Sequence, residues 1–350
     1  MKRVIVIIND ISKGGGTERV ASFVANLLSE HNINVTLLSL SNNHPSYYEL
    51  SPMVSLQYFL GKSKFSLARY LQKNKFDLII PISMGRLSVE ITFLCKIFGI
   101  SAHLILSEHV AFERFSKPVQ WLKLLAYKWS DETILLTEHD FYLLTKKVNA
   151  NFTLIPNASQ FPILKNIEMK ANEPIVLAVG RLTYQKGLDR LLNIWSKIEE
   201  KNGWKLKIIG DGEEKESLAN LISQLSISDS VSIFPSTKNI ANEFLHAGLV
   251  AMTSRYEGLP LVLIEAKSFA TPCVSYDCKT GPREIINNGV DGLLIAEGKE
   301  SDYVQVLSTL ISNKSFLSRL QKGALINAQL FSSPIIGKQW IELMRKYKCL

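Results

Sequence analysis

Short runs of apolar residues alternate with longer amphipathic stretches along the first half of the chain. The apolar runs predict strands at 3–8, 34–40, 77–81, 102–106 and 132–136, with a weaker candidate at 53–58. The amphipathic stretches predict helices at 17–30, 64–74, 84–98, 117–129 and 138–147. Continuous Val, Ile and Leu runs are typical of parallel strands that are buried on both faces. The alternation therefore predicts βαβ units in a doubly wound sheet.

The pattern breaks into a polar stretch at 155–174 and then restarts. Strands are predicted at 175–179, 205–209, 231–234, 248–252, 272–276 and 292–295. Helices are predicted at 186–200, 213–225, 238–246, 260–269, 282–288, 302–313, 315–327 and 333–347. Since a single sheet of all these strands would be unusually large, we predict two α/β domains with about six strands each. Ligands of such folds bind at the carboxyl ends of strands, so we expect a site in a cleft between the domains.

Composition and charge narrow the classes of protein. The chain is 46% hydrophobic and 21% charged, which is ordinary for a globular protein. No apolar run reaches the roughly 18 residues of a membrane-spanning helix, and the first apolar run is too short for a signal peptide. The four cysteines show no CxxC spacing, and together these features indicate a cytoplasmic protein. The net charge of +8 lies mainly in residues 1–170, which favours an anionic partner there, either a membrane surface or a nucleic acid.

Glycines follow the first strand of each half. Gly15 and Gly16 lie between the first strand and a helix, where backbone amides could contact a phosphate; a simple tight turn explains them equally well. In the second half, Arg181 and Lys186 leave a strand and enter a helix, so their charges could converge on one diphosphate. The alternative is a pair of solvated surface cations. The turn at 210–212 is interpreted as a tight connection from strand to helix.

The sharpest feature is a pair of glutamates separated by seven residues, Glu257 and Glu265. Pro260 is predicted as the first residue of the helix between them, and the amides of Gly258 and Leu259 would point at an anion. Glu257 could accept hydrogen bonds from sugar hydroxyls. Glu265 lies in an otherwise apolar helix and needs a partner there, such as a ribose diol, a neighbouring arginine or the backbone.

One histidine is placed where a site would form. His109 directly follows the strand at 102–106, on the side of its carboxyl end, and the other five histidines show no comparable placement. We therefore predict that His109 lies in the cleft, although a lone histidine is commonly structural.

Taken together, these residues resemble the family-4 retaining glycosyltransferases of the GT-B fold, particularly bacterial enzymes that build surface polysaccharides such as lipopolysaccharide and O-antigen. The resemblance extends over essentially the whole chain. It rests on the order and spacing of Gly15-Gly16-Thr17-Glu18-Arg19, Ser107-Glu108-His109, Ile155-Pro156-Asn157, Gly180-Arg181-Leu182, Lys186-Gly187, Gly210-Asp211-Gly212, Glu257 with Glu265, Gly281-Pro282-Arg283-Glu284-Ile285-Ile286 and Gly289-Val290-Asp291-Gly292-Leu293-Leu294. One departure is Phe234-Pro235, where the family commonly has a glycine after the strand.

The resemblance implies two Rossmann-like domains: an acceptor domain at 1–165 and a nucleotide-sugar donor domain at 172–332, with a last helix at 333–350 that packs back onto the first. It also implies catalytic roles for Glu257, His109, Arg181 and Lys186. By this resemblance, Arg181 and Lys186 form a diphosphate clamp, and Glu265 binds the ribose. Glu257 binds the donor sugar, beside the amides of Gly258 and Leu259. The resemblance also implies a loop at Gly15 and Gly16 that closes over the donor, and a cleft histidine at His109.

The implied reaction is the transfer, with retention, of a hexose or N-acetylhexosamine from a UDP-sugar to a glycan acceptor, which we expect to be linked to a lipid diphosphate. Front-face attack needs no dedicated base, because the leaving phosphate accepts the proton of the acceptor. We expect neither a cofactor nor a metal, since the sequence contains no Asp-x-Asp.

Two basic stretches with aromatic neighbours in the first domain predict peripheral association with the anionic inner face of a membrane. The first combines Lys62, Lys64, Arg69, Lys73 and Lys75 with Phe65, Leu67, Tyr70 and Leu71. The second combines Lys117, Lys123 and Lys128 with Trp121, Leu122, Leu125 and Trp129. For the second stretch, a helix that packs inward with solvated lysines is an equally good interpretation.

Three other functions are compatible with the same fold class. A nucleotide-sugar epimerase and a non-catalytic sugar- or nucleotide-binding adaptor share the expected architecture, but the two cations and two glutamates favour transfer. An NAD-dependent oxidoreductase needs an acidic residue after the second strand, where Ser39-Leu40-Ser41 stands. Nucleic-acid binding has only the net charge in its favour, and we do not expect it.

Overall fold

The computed structural model describes residues 1–41, 43–61 and 63–350. The chain divides into two compact units: unit 1 comprises Met1–Ala158 and Pro334–Leu350, and unit 2 comprises Ser159–Ser333. Each unit contains one parallel β-sheet with helical connections between its strands. The prediction of two Rossmann-like doubly wound domains is therefore confirmed.

Unit 1 begins with alternating strands and helices. Its strands are β1 (Arg3–Ile8), β2 (Asn34–Ser39), β3 (Ser55–Tyr58), β4 (Leu78–Ser83), β5 (His103–Glu108), β6 (Glu132–Leu135) and β7 (Phe152–Leu154). Its helices are α1 (Gly16–Glu30), α2 (Lys64–Asn74), α3 (Leu87–Ile97), α4 (Lys117–Trp129) and α5 (Glu138–Thr145). Helix α5 begins after Thr137, whose hydroxyl accepts a hydrogen bond from the backbone N–H of Asp140, as is usual at a helix start.

Unit 2 repeats the alternation. Its strands are β8 (Glu173–Val179), β9 (Lys205–Ile209), β10 (Val231–Phe234), β11 (Ala247–Met252), β12 (Cys273–Asp277) and β13 (Gly292–Ala296). Its helices are α6 (Leu188–Ser196), α7 (Lys215–Gln224), α8 (Ile240–His246), α9 (Leu261–Ser268), α10 (Pro282–Ile285), α11 (Glu300–Ser312) and α12 (Lys314–Asn327). The last helix of the chain, α13 (Ser333–Lys346), returns to unit 1, where its apolar face joins the core beneath the sheet.

Both faces of the first sheet are covered. Val4 and Val6 of β1 lie in one hydrophobic core, and the alternate residues Ile5 and Ile7 lie in another. Trp340 of α13 packs in the first of these cores. A central strand buried on both faces is what the uninterrupted apolar run of β1 predicts, because side chains alternate between the faces of a sheet.

The strand orders give the switch point of each sheet. The first sheet has the order β3-β2-β1-β4-β5-β6-β7, and the second has the order β10-β9-β8-β11-β12-β13. The chain therefore reverses direction across the sheet between β1 and β4 in unit 1, and between β8 and β11 in unit 2. In doubly wound sheets, the crevice at the carboxyl ends of the two strands at this switch point is the usual binding site.

The first sheet has seven strands, so the prediction of six in that sheet was wrong. The missed strand, β7, contains only Phe152–Leu154 and pairs with β6 alone, at the edge of the sheet. Such a strand is too short for a hydrophobic period, and its pairing comes from the neighbouring strand rather than from local sequence.

Candidate active site

The predicted site residues of the second half lie at the switch point of unit 2. Arg181 and Lys186 are in the loop at 180–187 that follows β8, here called the β8 loop. Glu257 is in the loop at 253–260 that follows β11, here called the β11 loop, and Glu265 is in the helix α9 that continues from it. The structure therefore places these groups at the edge of the sheet where such folds bind ligands.

An ion pair joins the two loops. The Nζ of Lys186 is 2.7 Å from Oε1 of Glu257, and the two side chains are 19% and 7% exposed. The stem of Lys186 passes over Gly180, where an added Cβ would lie 3.2 Å from Cε of the lysine. A larger residue at position 180 would therefore press on the stem and displace it by a few tenths of an ångström.

Arg181 is less constrained than Lys186. Its side chain is exposed, and its Nη2 lies 3.5 Å from Oε1 of Gln185, at the outer limit of a hydrogen bond. The guanidinium is therefore accessible, and its planar shape suits two-point contacts with the oxygens of a phosphate.

Hydrogen bonds to backbone carbonyls fix the β8 loop against the β11 loop. The N–H of Arg255 donates to the carbonyl of Gln185 at 2.8 Å, and the hydroxyl of Thr253 donates to the carbonyl of Gly187 at 2.8 Å. Gly187 has a φ of +60°, and an added Cβ would lie 2.3 Å from the carbonyl oxygen of Thr253. Only glycine fits this close approach, so the backbone sets the separation of the two loops that carry Lys186 and Glu257.

A second ion pair at the same place was missed in the sequence. Arg255 makes two hydrogen bonds to Asp189, at 2.9 and 2.6 Å, and its guanidinium lies 3.9 Å from the ring centre of Tyr184. Burial alone would raise the pKa of Asp189, but the hydrogen bonds and charge of Arg255 outweigh it and the pKa is lowered. Arg255 and Asp189 are far apart in the chain, and no local pattern connects them.

Helix α9 begins at Leu261 rather than at Pro260 as we predicted. Pro260 is the residue before the helix, with an extended backbone (φ −71°, ψ 107°), and its carbonyl accepts the N–H of Leu263 at 3.1 Å. The fixed φ of proline suits this position as well as the first helical one, so the sequence does not distinguish them. Glu265 lies one turn into the helix and is 3% exposed.

The loop that follows β12 supports the β11 loop from the other side. The hydroxyl of Thr280 donates to the carbonyl of Glu257 at 2.6 Å. Gly281 has a φ of +97°, and an added Cβ would lie 2.3 Å from the carbonyl oxygen of Gly258. Glu257 and Gly258 are thus held between neighbouring loops, and the neighbouring Leu259 is 5% exposed.

The turn at 210–212 connects β9 to α7, as predicted, and it also packs tightly on the β8 loop. An added Cβ on Gly210 would lie 1.9 Å from the carbonyl oxygen of Gly180. The carboxylate of Asp211 accepts hydrogen bonds from the N–H and hydroxyl of Ser236, at 2.9 and 2.5 Å. Phe234, where the sequence departs from the family pattern, ends β10 beside this turn and is 44% exposed.

In unit 1, His109 follows β5 at the carboxyl edge of the sheet. Its backbone N–H donates to the carbonyl of Ser83 at 2.9 Å, and its Nε2 lies 3.0 Å from the hydroxyl oxygen of Ser107. The residue is 8% exposed, and burial lowers the pKa of His109 to about 4. The imidazole is therefore neutral at pH 7, and its interactions are hydrogen bonds rather than ion pairs.

The start of α1 contains a carboxylate. Gly15 precedes the helix and Gly16 is its first residue, and an added Cβ on Gly15 would lie 2.4 Å from Oε2 of Glu18. The hydroxyl of Thr17 donates to the same oxygen at 3.1 Å, and burial raises the pKa of Glu18. An acidic side chain at a helix start is stabilised by the helix dipole. The contact of Gly15 and Gly16 with a donor stays a prediction.

The structure corrects one part of the predicted membrane stretches. Lys123 is fully buried, with its Nζ 2.8 Å from Oε2 of Glu108, 2.9 Å from the carbonyl oxygen of Gly85 and 4.5 Å from the ring centre of Phe115. It therefore cannot face lipid or solvent. The sequence shows a lysine within an amphipathic helix but not its partner on β5. Lys62 of the other stretch lies outside the described residues.

The described parts of the chain contain neither a cluster of metal-binding side chains nor a membrane-spanning helix. Within residues 1–41, 43–61 and 63–350, no three His, Cys, Asp or Glu side chains are grouped to bind a metal ion. In the same ranges, no helix combines the length and the hydropathy required to cross a bilayer.

Comparison with known proteins shows the class first. The structure superimposes on that of Anabaena HepE in complex with UDP-glucose with a TM-score of 0.80, at 18% identity, over 99% of this chain and 100% of that one. This similarity shows that the chain has the GT-B fold of glycosyltransferases.

Sequence similarity then shows the family. Residues 160–325 match the protein family described as Glycosyl transferases group 1. The amylovoran biosynthesis glycosyltransferase AmsD of Erwinia amylovora is 38% identical over 98% of this chain and 100% of that protein. A Campylobacter jejuni protein is 24% identical over 99% of both chains; its name describes an α-1,4-N-acetyl-D-galactosaminyltransferase acting on a glycan linked to PP-undecaprenol. The chain belongs to the group 1 glycosyltransferases and is therefore a transferase.

Proposed function

We propose that this transferase moves a hexose or N-acetylhexosamine from a UDP-sugar to a glycan acceptor, with retention, in the synthesis of a bacterial surface polysaccharide. The observation that carries the proposal is the contact of Lys186 with Glu257 at the switch point of unit 2. It puts a cation suited to a diphosphate beside a carboxylate suited to sugar hydroxyls. The names of AmsD and HepE, one from polysaccharide biosynthesis and one bound to UDP-glucose, support the same choice.

The chemistry follows from the charge that develops during donor cleavage. Negative charge accumulates on the leaving diphosphate, where Lys186 and the exposed guanidinium of Arg181 meet it. The amides of Gly258 and Leu259, just before α9, add further donors. Each preorganised donor of this kind lowers a barrier by about 2.7–4 kcal/mol. In front-face attack the leaving phosphate oxygen accepts the acceptor's proton, so the reaction proceeds without a protein base, a metal or a cofactor.

The remaining site residues take binding roles in this proposal. Glu257 accepts hydrogen bonds from hydroxyls of the donor sugar, and the buried Glu265 accepts those of the ribose. His109, which is neutral at pH 7, makes a hydrogen bond near the reacting sugar. Gly15 and Gly16 bind a phosphate of the donor through their backbone amides.

The acceptor is proposed to be a glycan on a lipid diphosphate, as in the name of the Campylobacter relative. Unit 1 carries exposed aromatic residues suited to the anionic inner face of a membrane: Phe65 of α2 is 55% exposed and Trp121 of α4 is 61% exposed. Exposed Lys64, Lys117 and Lys128 accompany them. Each cation near such a surface contributes at most about 1 kcal/mol, which gives reversible, peripheral association from the cytoplasmic side.

Thermal shift with UDP, GDP and a panel of UDP-sugars, in buffer containing EDTA, tests the donor class. We expect UDP to raise the melting temperature of the wild type but not that of Glu265→Ala. Stabilisation by GDP alone would reject the UDP assignment.

A product assay separates transfer from the alternatives. Incubation with the stabilising UDP-sugar and lipid extract is followed by NMR of the products. A new glycosidic bond with the anomeric configuration of the donor is expected. An epimerised sugar without transfer would instead identify an epimerase, and binding without any product would identify an adaptor.

A further inference from the structure

Lys186 and Glu257 are held together by the backbone around them. The pair is largely buried, with a distance of 2.7 Å between Nζ and Oε1. Hydrogen bonds from Thr253 to Gly187 and from Thr280 to Glu257 anchor both loops. These hydrogen bonds fix the backbone of both loops, so the two charges separate only if the side chain of Lys186 changes its conformation.

A diphosphate bound at Lys186 therefore shares its cation with the carboxylate of Glu257. While a sugar is attached, its hydroxyls donate hydrogen bonds to that carboxylate and stabilise its charge in place of the lysine. Once the sugar has been transferred, these donors leave with it, and both anions depend on the same ammonium group. The two states of the ligand thus differ in how strongly Glu257 opposes the diphosphate.

We propose that Glu257 is an internal competitor for the diphosphate, which weakens the binding of free UDP and promotes its release after each transfer. This inference rests on the proposed function, because it requires UDP as the product at Lys186. The carboxylate of Glu257 then has two opposite effects. It strengthens binding of the UDP-sugar by accepting hydrogen bonds from the sugar, and it weakens binding of free UDP by competing for the ammonium group of Lys186.

Removing the carboxylate of Glu257 should therefore strengthen the binding of the product. Glu257→Gln should bind UDP about tenfold more tightly than the wild type, while its turnover falls. Coupling within one network of charges is commonly of this size or larger. The affinity for the UDP-sugar should not rise to the same extent, because the variant also loses the carboxylate that accepts hydrogen bonds from the sugar hydroxyls. Product inhibition by UDP should become stronger.

Isothermal titration of the full chain with UDP, at fixed ionic strength, measures the effect. Glu257→Ala is measured in parallel, since it has no amide that could itself bind phosphate, and it should show the same gain. Glu243→Gln is the matched control: its carboxylate lies 2.6 Å from Lys207 in the same unit, and the two side chains are 21% and 24% exposed. It removes the same charge and should leave the UDP affinity unchanged. Adding Lys186→Met to Glu257→Gln should remove the gain.

Each result discriminates. If both Glu257 variants bind UDP no more tightly than the wild type, or if Glu243→Gln gains as much, the competitor role is refuted, while transfer by the wild type leaves the proposed function intact. If the wild type and all variants fail to bind UDP, the proposed donor class fails and this inference fails with it. Unchanged melting temperatures of the variants without ligand exclude misfolding as the cause.

Discussion

The buried lysine of α4 offers a quantitative test of how unit 1 is held together. Lys123→Met keeps most of the length and volume of the side chain but removes its charge. It leaves the carboxylate of Glu108, whose side chain is 3% exposed, without the ammonium at 2.8 Å. It also leaves the carbonyl of Gly85 without its donor at 2.9 Å. The variant therefore isolates a charge in the interior without opening a large cavity.

The expected cost follows from this burial. Removing one partner of a buried ion pair destabilises a protein by about 3–5 kcal/mol, because the other charge stays uncompensated. For a domain of this size, 1 kcal/mol corresponds to about 2–4 °C in Tm, so the transition of unit 1 should fall by roughly 6–20 °C. Replacing both groups, as Lys123→Met with Glu108→Leu, should recover most of the loss, since well-packed apolar residues commonly replace a buried pair at little cost.

Calorimetry gives the transition, and hydrogen exchange of peptides from β5 and α4 assigns it to unit 1. The control is Lys128→Met on the same helix, where the lysine is exposed and the change should stay within about 0.5 kcal/mol. Equal shifts for the two variants would refute the assignment of Lys123 to a buried ion pair.

Three further expectations concern the site and the membrane. Lys186→Ala should lower kcat by about 100- to 1000-fold with little change in Tm, since it removes a preorganised charge, and near-normal kinetics would reject its role. Asp189→Asn should lower kcat by about tenfold, because it loosens Arg255 and with it the β11 loop. Its Tm should fall by less than about 2 °C, since the ion pair is half-exposed. An unchanged kcat would show that the pair does not position the loop. Trp121→Ala should reduce co-sedimentation with anionic liposomes severalfold. The control Tyr142→Ala removes another exposed aromatic ring from unit 1 and should not reduce it. Equal effects of the two variants would argue against a specific membrane face.

Most of the fold could be predicted from the sequence because its determinants are local. The strands around each switch point are continuous apolar runs, and the helices between them have clear periods, so the main errors were the edge strand β7 and the ends of helices. A strand of three residues has no period of its own. Its position depends on pairing with β6, and this pairing exists only in the folded chain.

The candidate site was predictable to the extent that its groups lie in short motifs. Lys186 and Glu257 each follow a strand within a recognisable turn, and the structure brings them into contact. The pairs that a sequence reader misses join distant positions, such as Arg255 with Asp189 and Lys123 with Glu108. In a single sequence, a solvent-exposed lysine cannot be distinguished from a lysine that pairs with a buried glutamate. Lys123 was therefore wrongly predicted to lie on the surface.

Two buried titratable groups of unit 1 have opposite effects on its stability at acidic pH. Burial lowers the pKa of His109 from 6.5 to about 4, so the unfolded chain binds the proton more readily and stability is lost as the pH falls from 6.5 towards 4. Burial raises the pKa of Asp140 from 3.8 to about 6, against an opposing hydrogen bond from the N–H of Phe112. The folded chain then binds that proton more readily, so stability is gained as the pH falls from 6 towards 3.8.

The two shifts are similar in size, about 3 kcal/mol each, and their pH windows overlap. In the wild type their contributions should therefore largely cancel between pH 4 and 6. Single variants separate them: relative to the wild type, Asp140→Asn should become less stable as the pH falls through this window, and His109→Gln should become more stable. Tm measured against pH for the three proteins, with unit 1 followed by hydrogen exchange, tests both signs. Curves that stay parallel to that of the wild type would show that neither group carries the pKa that its burial implies.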